Sequence, residues 1–182
     1  MIRFERSFDY GLVRSIITHP KLWNHLSDDL TGPASEFQPV AHPAIWYVTP
    51  YNHYSEDEPP ELLGLWMFVP QTSICWDVHT ALLPIAWGGV GLLAARLLPG
   101  WMWANTPCRR IITSVPSSNR LALHFAIKSG MKIWGVNRES YLKGGILRDQ
   151  VCLGLSKPEV QPEAAAIPEP AEEELCQQLS LS

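Results

Sequence analysis

The stretch Leu82-Leu83-Pro84-Ile85-Ala86-Trp87-Gly88-Gly89-Val90-Gly91 decides how this chain is read. Before it, Ile74 to Leu82 reads as a strand. After it, from Gly88 to about Ala104, Val90, Leu93, Leu97 and Trp101 recur at three- and four-residue steps, the period of a helix face. A strand therefore ends, a glycine-rich turn follows and a helix begins. Such a turn lets backbone N–H groups converge on an anion, and the helix start adds a partial positive charge. A pyrophosphate is the natural guest, although glycine-rich turns before helices also serve simple packing. No Lys-Ser/Thr pair follows the glycines, which sets aside an ATP-type phosphate loop. Gly88-Gly89-Val90-Gly91 also lacks the first βαβ context of a dinucleotide fold. Pro99-Gly100 is expected to break or kink the helix near its end.

Upstream, Ile2 to Phe8 alternates as an edge strand, and Asp9 is placed to cap a helix running to about Leu26, with Leu12, Ile16 and Ile17 on one face. Residues 27–43 read as loop, Ala44 to Thr49 as strand, and the polar run Tyr51 to Pro60 as turn. Leu62 to Val69 and Ile74 to Leu82 are two further strands. Downstream, Arg110 to Val115 is an apolar strand, and Asn119 to Ser129 is a helix stopped by Gly130. Met131 to Val136 and Arg148 to Leu155 are the last strands, with Lys143-Gly144-Gly145 as their hairpin turn. The order β-α-loop-β-β-β-α-β-α-β-β gives a mixed α/β (α+β) class.

The 182 residues suit one domain, and with 46% apolar residues a sizeable core can be built. The net charge of −4, with no basic run or stripe, argues against a nucleic-acid partner. The apolar stretch Thr80 to Leu98 is interrupted by Pro84, Gly88-Gly89, Gly91 and Arg96, so a membrane span is not expected. Cys75, Cys108, Cys152 and Cys176 form no C-x-x-C pair and read as reduced thiols, in keeping with a cytoplasmic setting. From Pro158 on, proline, alanine and glutamate dominate. Residues 1–157 are thus read as the domain, and 158–182 as a disordered tail with a short helical turn at Glu172 to Leu179.

Three further stretches carry a resemblance. Arg109-Arg110-Ile111-Ile112-Thr113-Ser114-Val115-Pro116-Ser117-Ser118-Asn119 resembles the fifth strand, and the Asn opening the fourth helix, of the GCN5-related N-acetyltransferase (GNAT) family. Ala122 to Met131, ending Ser129-Gly130-Met131, resembles that family's fourth-helix ending. Trp134 to Val151 is similar to the last two strands of its ribosomal-protein-alanine acetyltransferase branch, phage-encoded members above all. The resemblance covers residues 74–157 well, and the first half only in its order of elements. It implies a twisted, mostly antiparallel sheet of six to seven strands with one splayed parallel pair, flanked by helices. It also implies acetyl-CoA held in the splay. The strand Ile74 to Leu82 would meet the pantetheine arm, with Thr80 and Leu82 among the contacts. Trp87, Gly88, Gly89, Val90 and Gly91 would hold the pyrophosphate, and Asn119 would lie near the thioester. The chain departs from the family in two places. The turn usually starts with Arg or Gln; here that position is Ala86 in one register or Trp87 in another, and neither restores the cation. Ala126 stands where many members carry a Tyr acid, a Tyr that the resembled branch often lacks as well.

The implied reaction moves an acetyl group to a primary amine on a protein N-terminus, a lysine or a small molecule. Asp77 and His79, two apart on one strand, share a face. They read either as a base with its orienting partner or as ordinary strand polar residues. His124 reads as an exposed helix residue, and Ser117 and Ser118 as turn residues. Tyr141 and Arg138 belong either to the acceptor wall or to cross-strand pairing. Trp46, Trp66 and Trp76 belong to the core or to an acceptor cleft. The missing Arg and Tyr leave a second reading, a catalytically degenerate binding or virion-associated phage protein, and the acidic tail a third, an adaptor. The resemblance further implies a monomer or homodimer in the cytoplasm, the host's if phage-encoded.

Overall fold

The computed structural model describes residues 1–55 and 58–158. The Glu172–Leu179 turn and nearly all of the tail lie outside them. In chain order the elements are β1 (Ile2–Ser7), α1 (Tyr10–Ile17), α2 (Pro20–Leu26), β2 (Trp46–Asn52), β3 (Glu61–Leu62), β4 (Gly64–Pro70) and β5 (Cys75–Leu82). There follow α3 (Gly89–Asn105), β6 (Arg110–Pro116), α4 (Arg120–Lys128), β7 (Lys132–Lys143) and β8 (Ile146–Ser156). One 8-stranded sheet runs β1-β2-β4-β5-β6-β8-β7, with β3 paired to β2. The six to seven expected strands become eight because the two-residue β3 gives no periodic signal. Every pairing is antiparallel except β5 with β6.

Alternation along the strands splits the core in two. Val48, Trp66, Phe68, Trp76, Val78 and Leu82 meet α3 on one face. Tyr47, Leu65 and Ala81 meet α1 and α2 on the other. Trp46, Trp66 and Trp76 thus belong to the α3-side core, where Trp46 packs edge-on against Trp76 and Trp101.

Three expectations need correction. The helix expected from Asp9 to Leu26 is two helices. Asp9 does cap the first, accepting the Leu12 N–H at 2.9 Å. But Pro20 has no N–H to continue it and suits the opening position of a new helix, which it takes in α2. The strand expected to end at Thr49 runs on to Asn52, paired with β1 and β3. Pro50 is tolerated because it sits where β3 gives way to β4 as neighbour of β2. Finally, α3 runs to Asn105, close to the expected end at Ala104, but Pro99-Gly100 does not break it. Gly91, Ala94, Ala95, Leu98, Pro99 and Met102 form one buried stripe, and burial of that stripe offsets the hydrogen bond that Pro99 forfeits.

The hairpin turn is as expected. Gly144 and Gly145 both take left-handed conformations, with φ of 62° and 71°, as a two-residue turn between right-twisted strands requires. Its tip is held from afar. The Asp29 carboxylate accepts the Gly144 and Gly145 N–H groups at 2.9 and 2.7 Å. The Tyr141 hydroxyl and the Lys143 ammonium both donate to the Ser27 carbonyl at 2.8 Å.

Candidate active site

The sheet is open at one place. β5 and β6 pair only at Cys75↔Arg110, Trp76↔Ile111 and Asp77↔Ile112. Beyond Asp77, β5 stays with β4 as far as Leu82, while β6 stays with β8 as far as Pro116. At the fork the Thr113 hydroxyl donates to the Val78 carbonyl at 2.9 Å. A side chain thus replaces the next ladder bond and closes the crotch of a wedge.

Backbone alternation on β5 says what faces that wedge. Leu83 N–H donates to Leu63 O, so in this register the odd-numbered residues of β5 exchange bonds with β4. The even-numbered ones point their N–H and C=O toward β6, as the Val78 carbonyl does. Thr80, with both backbone groups, and Leu82, with its N–H, therefore face the opening. The Leu82 carbonyl is taken: the Trp87 indole donates to it at 3.0 Å.

At the broad end of the wedge lies the start of α3. Gly88, its N-cap, has φ 117°, a conformation open to glycine, and no side chain caps the helix. The first N–H groups of a helix have no partner within it, and here Gly88 and Gly89 are exposed. Gly91 has a different role. A Cβ there would run into the Ala86 carbonyl oxygen and come within 3.2 Å of Leu82 Cδ1. The Pro84–Ala86 turn can pack against the helix only because position 91 carries no side chain. Trp87, 57% exposed, stands beside the helix start without covering it.

Asn119 is the N-cap of α4; its side-chain oxygen accepts the Ala122 N–H at 3.1 Å. Only its amide NH2 is then left for another contact. His124 is exposed, and Ser117 and Ser118 form the turn before Asn119, as the sequence suggested.

Asp77 and His79 do share a face, on the α1–α2 side of the sheet, with His79 Nε2 3.6 Å from Asp77 Oδ2. Asp77 Oδ1 is buried and has no hydrogen-bond partner among the described residues. Burial raises the Asp77 pKa above the ordinary carboxylate value, and the nearby His79 opposes the shift only in part. A buried, unpartnered carboxylate oxygen beside an imidazole is costly unless it has work to do.

Against this pair lies a cavity of about 280 Å³. Tyr47, Leu65 and Met67 of the sheet form its floor, Trp23 and Phe37 its wall, and His79 its polar corner. The Trp23 and Phe37 rings meet edge to face at 5.5 Å. Sequence reasoning missed this wall. Residues 27–43 have no period, and scattered apolar residues such as Phe37 and Val40 give no pattern that would mark a wall. Of the two hairpin candidates, Arg138 pairs across the strands with Asp149 at 2.6 Å. Tyr141 instead reaches Ser27, next to the cavity-lining Leu26.

No family model and no curated protein sequence matches the chain. Solved structures do. A spermidine N-acetyltransferase from Vibrio cholerae, in complex with CoA and spermine, superposes with a TM-score of 0.61 at 14% identity, over 86% of this chain and 95% of that one. A probable acetyltransferase (GNAT family) from Chromobacterium violaceum gives 0.64 at 15%, over 85% and 82%. A ribosomal-protein-alanine acetyltransferase from Vibrio fischeri gives 0.64 at 13%, over 88% and 94%. The chain therefore has the GNAT fold: a mixed α/β architecture whose mostly antiparallel sheet contains one parallel pair.

Proposed function

We propose that this chain binds acetyl-CoA in the wedge between β5 and β6 and transfers its acetyl group to an amine seated in the cavity beside His79. The observation that carries the reading is the wedge itself: β5 backbone groups turned into it and an uncapped helix start at its broad end. A phosphate-bearing ligand needs such N–H groups, and they are available without a cation at position 86 or 87. The V. cholerae neighbour bound to CoA supports the same choice of ligand.

Gly88, Gly89, Val90 and Gly91 would hold the pyrophosphate, Thr80 and Leu82 the pantetheine amides, and the Asn119 amide would lie toward the acyl end. The bound molecule supplies an activated acetyl thioester. What remains for the protein is to hold an amine in its neutral form against that acyl group. His79, at the cavity corner, is the base that takes the amine proton, directly or through a water. Asp77 orients the imidazole and stabilises its charged form. Burial raises the Asp77 pKa, and a positive charge developing on the neighbouring His79 would favour its ionised form.

The test is a thermal melt with acetyl-CoA, followed by assay of thiol release. Ligand at 100 times its Kd stabilises the native state by about 2.7 kcal/mol, a rise of roughly 5–10 °C for a chain of this length. No rise at millimolar acetyl-CoA removes the proposal. A rise without thiol release over a broad amine panel identifies a degenerate, binding-only protein. With turnover in hand, His79→Ala lowers kcat by about 100-fold or more, and Asp77→Asn by less; full activity in the double variant rejects the base assignment.

A further inference from the structure

We infer that the acceptor is a small amine carrying an aromatic or bulky apolar group, and not a polyamine. The inference rests on the acetyl-transfer reading above and names the substrate class of that same site.

Most of the cavity lining is apolar; His79, Thr31, Gln38 and Thr80 are its polar members. Trp23, Phe37, Val40, Leu65 and Met67 surround it, and among the described residues no Asp, Glu, Lys or Arg lines it. Two of the three acids on the bordering loop are held by partners, and the third, Glu36, is exposed. The Asp28 carboxylate accepts from Thr31 and Leu30, and the Asp29 carboxylate from the hairpin amides. Asp77, on the sheet, faces His79. A polyamine would have to lay its second ammonium along Trp23, Phe37, Leu65 and Met67, whose side chains offer it neither an acceptor nor a counter-charge. An aryl ring meets the opposite conditions. The edge-to-face pair of Trp23 and Phe37 already offers an aromatic wall, and the cavity, at about 280 Å³, is just under the ~300–1,000 Å³ usual for ligand sites. The rim points the same way, with Leu26 38% and Val40 59% exposed. A ring entering the cavity would cover both, while its amine reaches His79.

The experiment compares 2-phenylethylamine with spermidine on the full chain. With acetyl-CoA, kcat/KM for 2-phenylethylamine is expected to exceed that for spermidine by about 100-fold or more. Val40→Glu adds a carboxylate at an exposed position, so folding is not at risk. It is expected to lower the phenylethylamine-to-spermidine ratio by about 10-fold or more. Equal or better turnover of spermidine by the wild type overturns the inference, as does a ratio unmoved in Val40→Glu. A second measurement needs no turnover: saturation-transfer NMR of each amine on the protein without acetyl-CoA. Ring protons of 2-phenylethylamine are expected to receive saturation that Leu65→Trp, which fills the cavity, removes. Absence of that signal in the wild type also overturns it. Failure of acetyl-CoA to raise the melting temperature, with the ring signal intact, would instead reject the acetyl-transfer reading and leave an aryl-amine site.

Discussion

Gly91 and Gly100 lie on the same helix, yet adding one methyl group should move stability in opposite directions. Within a helix, Gly→Ala is worth up to about 1 kcal/mol, because alanine loses less backbone freedom on folding. At Gly100 nothing lies within 4 Å of the new Cβ. The full gain should appear, raising the melting temperature by about 2–4 °C for a chain of this size. At Gly91 the methyl meets the Ala86 carbonyl oxygen. A backbone atom has no rotamer to change, so the cost belongs at the upper end of overpacking, about 3 kcal/mol. The net loss is about 2 kcal/mol, a fall of roughly 4–8 °C. The assay is circular-dichroism melting of both variants, with and without acetyl-CoA. Gly91→Ala should also lose much of the acetyl-CoA-dependent rise, since relieving the clash moves the Pro84–Ala86 turn away from the helix start. Gly100→Ala should keep that rise. Two variants of the same sign, or Gly91→Ala with normal stability and cofactor response, would refute the reasoning.

Asp29→Ala should speed hydrogen exchange at the Gly144 and Gly145 amides by about 10-fold or more while leaving exchange in β5 unchanged, as amide-resolved exchange would show. The two glycine N–H groups hold the Asp29 pKa below its ordinary value near 3.8. The clasp is therefore fully formed above pH 3.8 and loosens as pH falls through the lower folded value; wild-type exchange at these amides, corrected for its intrinsic rate, should rise only there. Asn119→Ala should cost about 1 kcal/mol by uncapping α4, read as a fall of roughly 2–4 °C. Asn119→Asp keeps the cap oxygen and loses the amide NH2, so it should retain the melting temperature but weaken acetyl-CoA binding; unchanged affinity would remove Asn119 from the cofactor contacts. A chain ending at Pro158 should melt as the full chain does, because residues 159–182 carry too little apolar surface to stabilise a core; a lower melting temperature would make the tail part of the domain.

The parts of this fold legible in the sequence are those whose cause is local. Asp9 and Asn119 cap helices because a short oxygen-bearing side chain stands one position before a helical period. Gly144-Gly145 turns the last hairpin because two adjacent left-handed residues admit few alternatives. Where tertiary packing overrides a local rule, the reading fails. Pro99 is a breaker by its own chemistry, but it lies on a buried stripe whose contacts sequence spacing does not weigh. Pro20 shows the reverse. An apolar pattern spanned it, and the missing N–H still ended the first helix. The acceptor cavity was the least legible part. Half of its wall, Phe37, comes from a loop without period, and that loop is tied to a hairpin about 115 positions away through Ser27 and Asp29. No window of sequence contains both halves of such a contact.

What joins the two halves of the candidate site is a single strand with three separate duties. The even-numbered residues of β5 turn their backbone groups to the wedge, while their side chains Trp76, Val78 and Leu82 enter the α3-side core. The odd-numbered ones bond to β4 and send Asp77, His79 and Ala81 to the other face, where the cavity lies. A one-residue slip of β5 would exchange these roles, exposing the core residues and burying the acid and the imidazole against α3. Gly64 guards that register. Its φ of 138° is open to glycine, and a Cβ there would press on the β5 backbone at Ala81 and Leu82. The strand that positions the chemistry is thus held by its neighbour's glycine. Any substitution at Gly64 should therefore damage cofactor binding and amine turnover together, although it touches neither ligand.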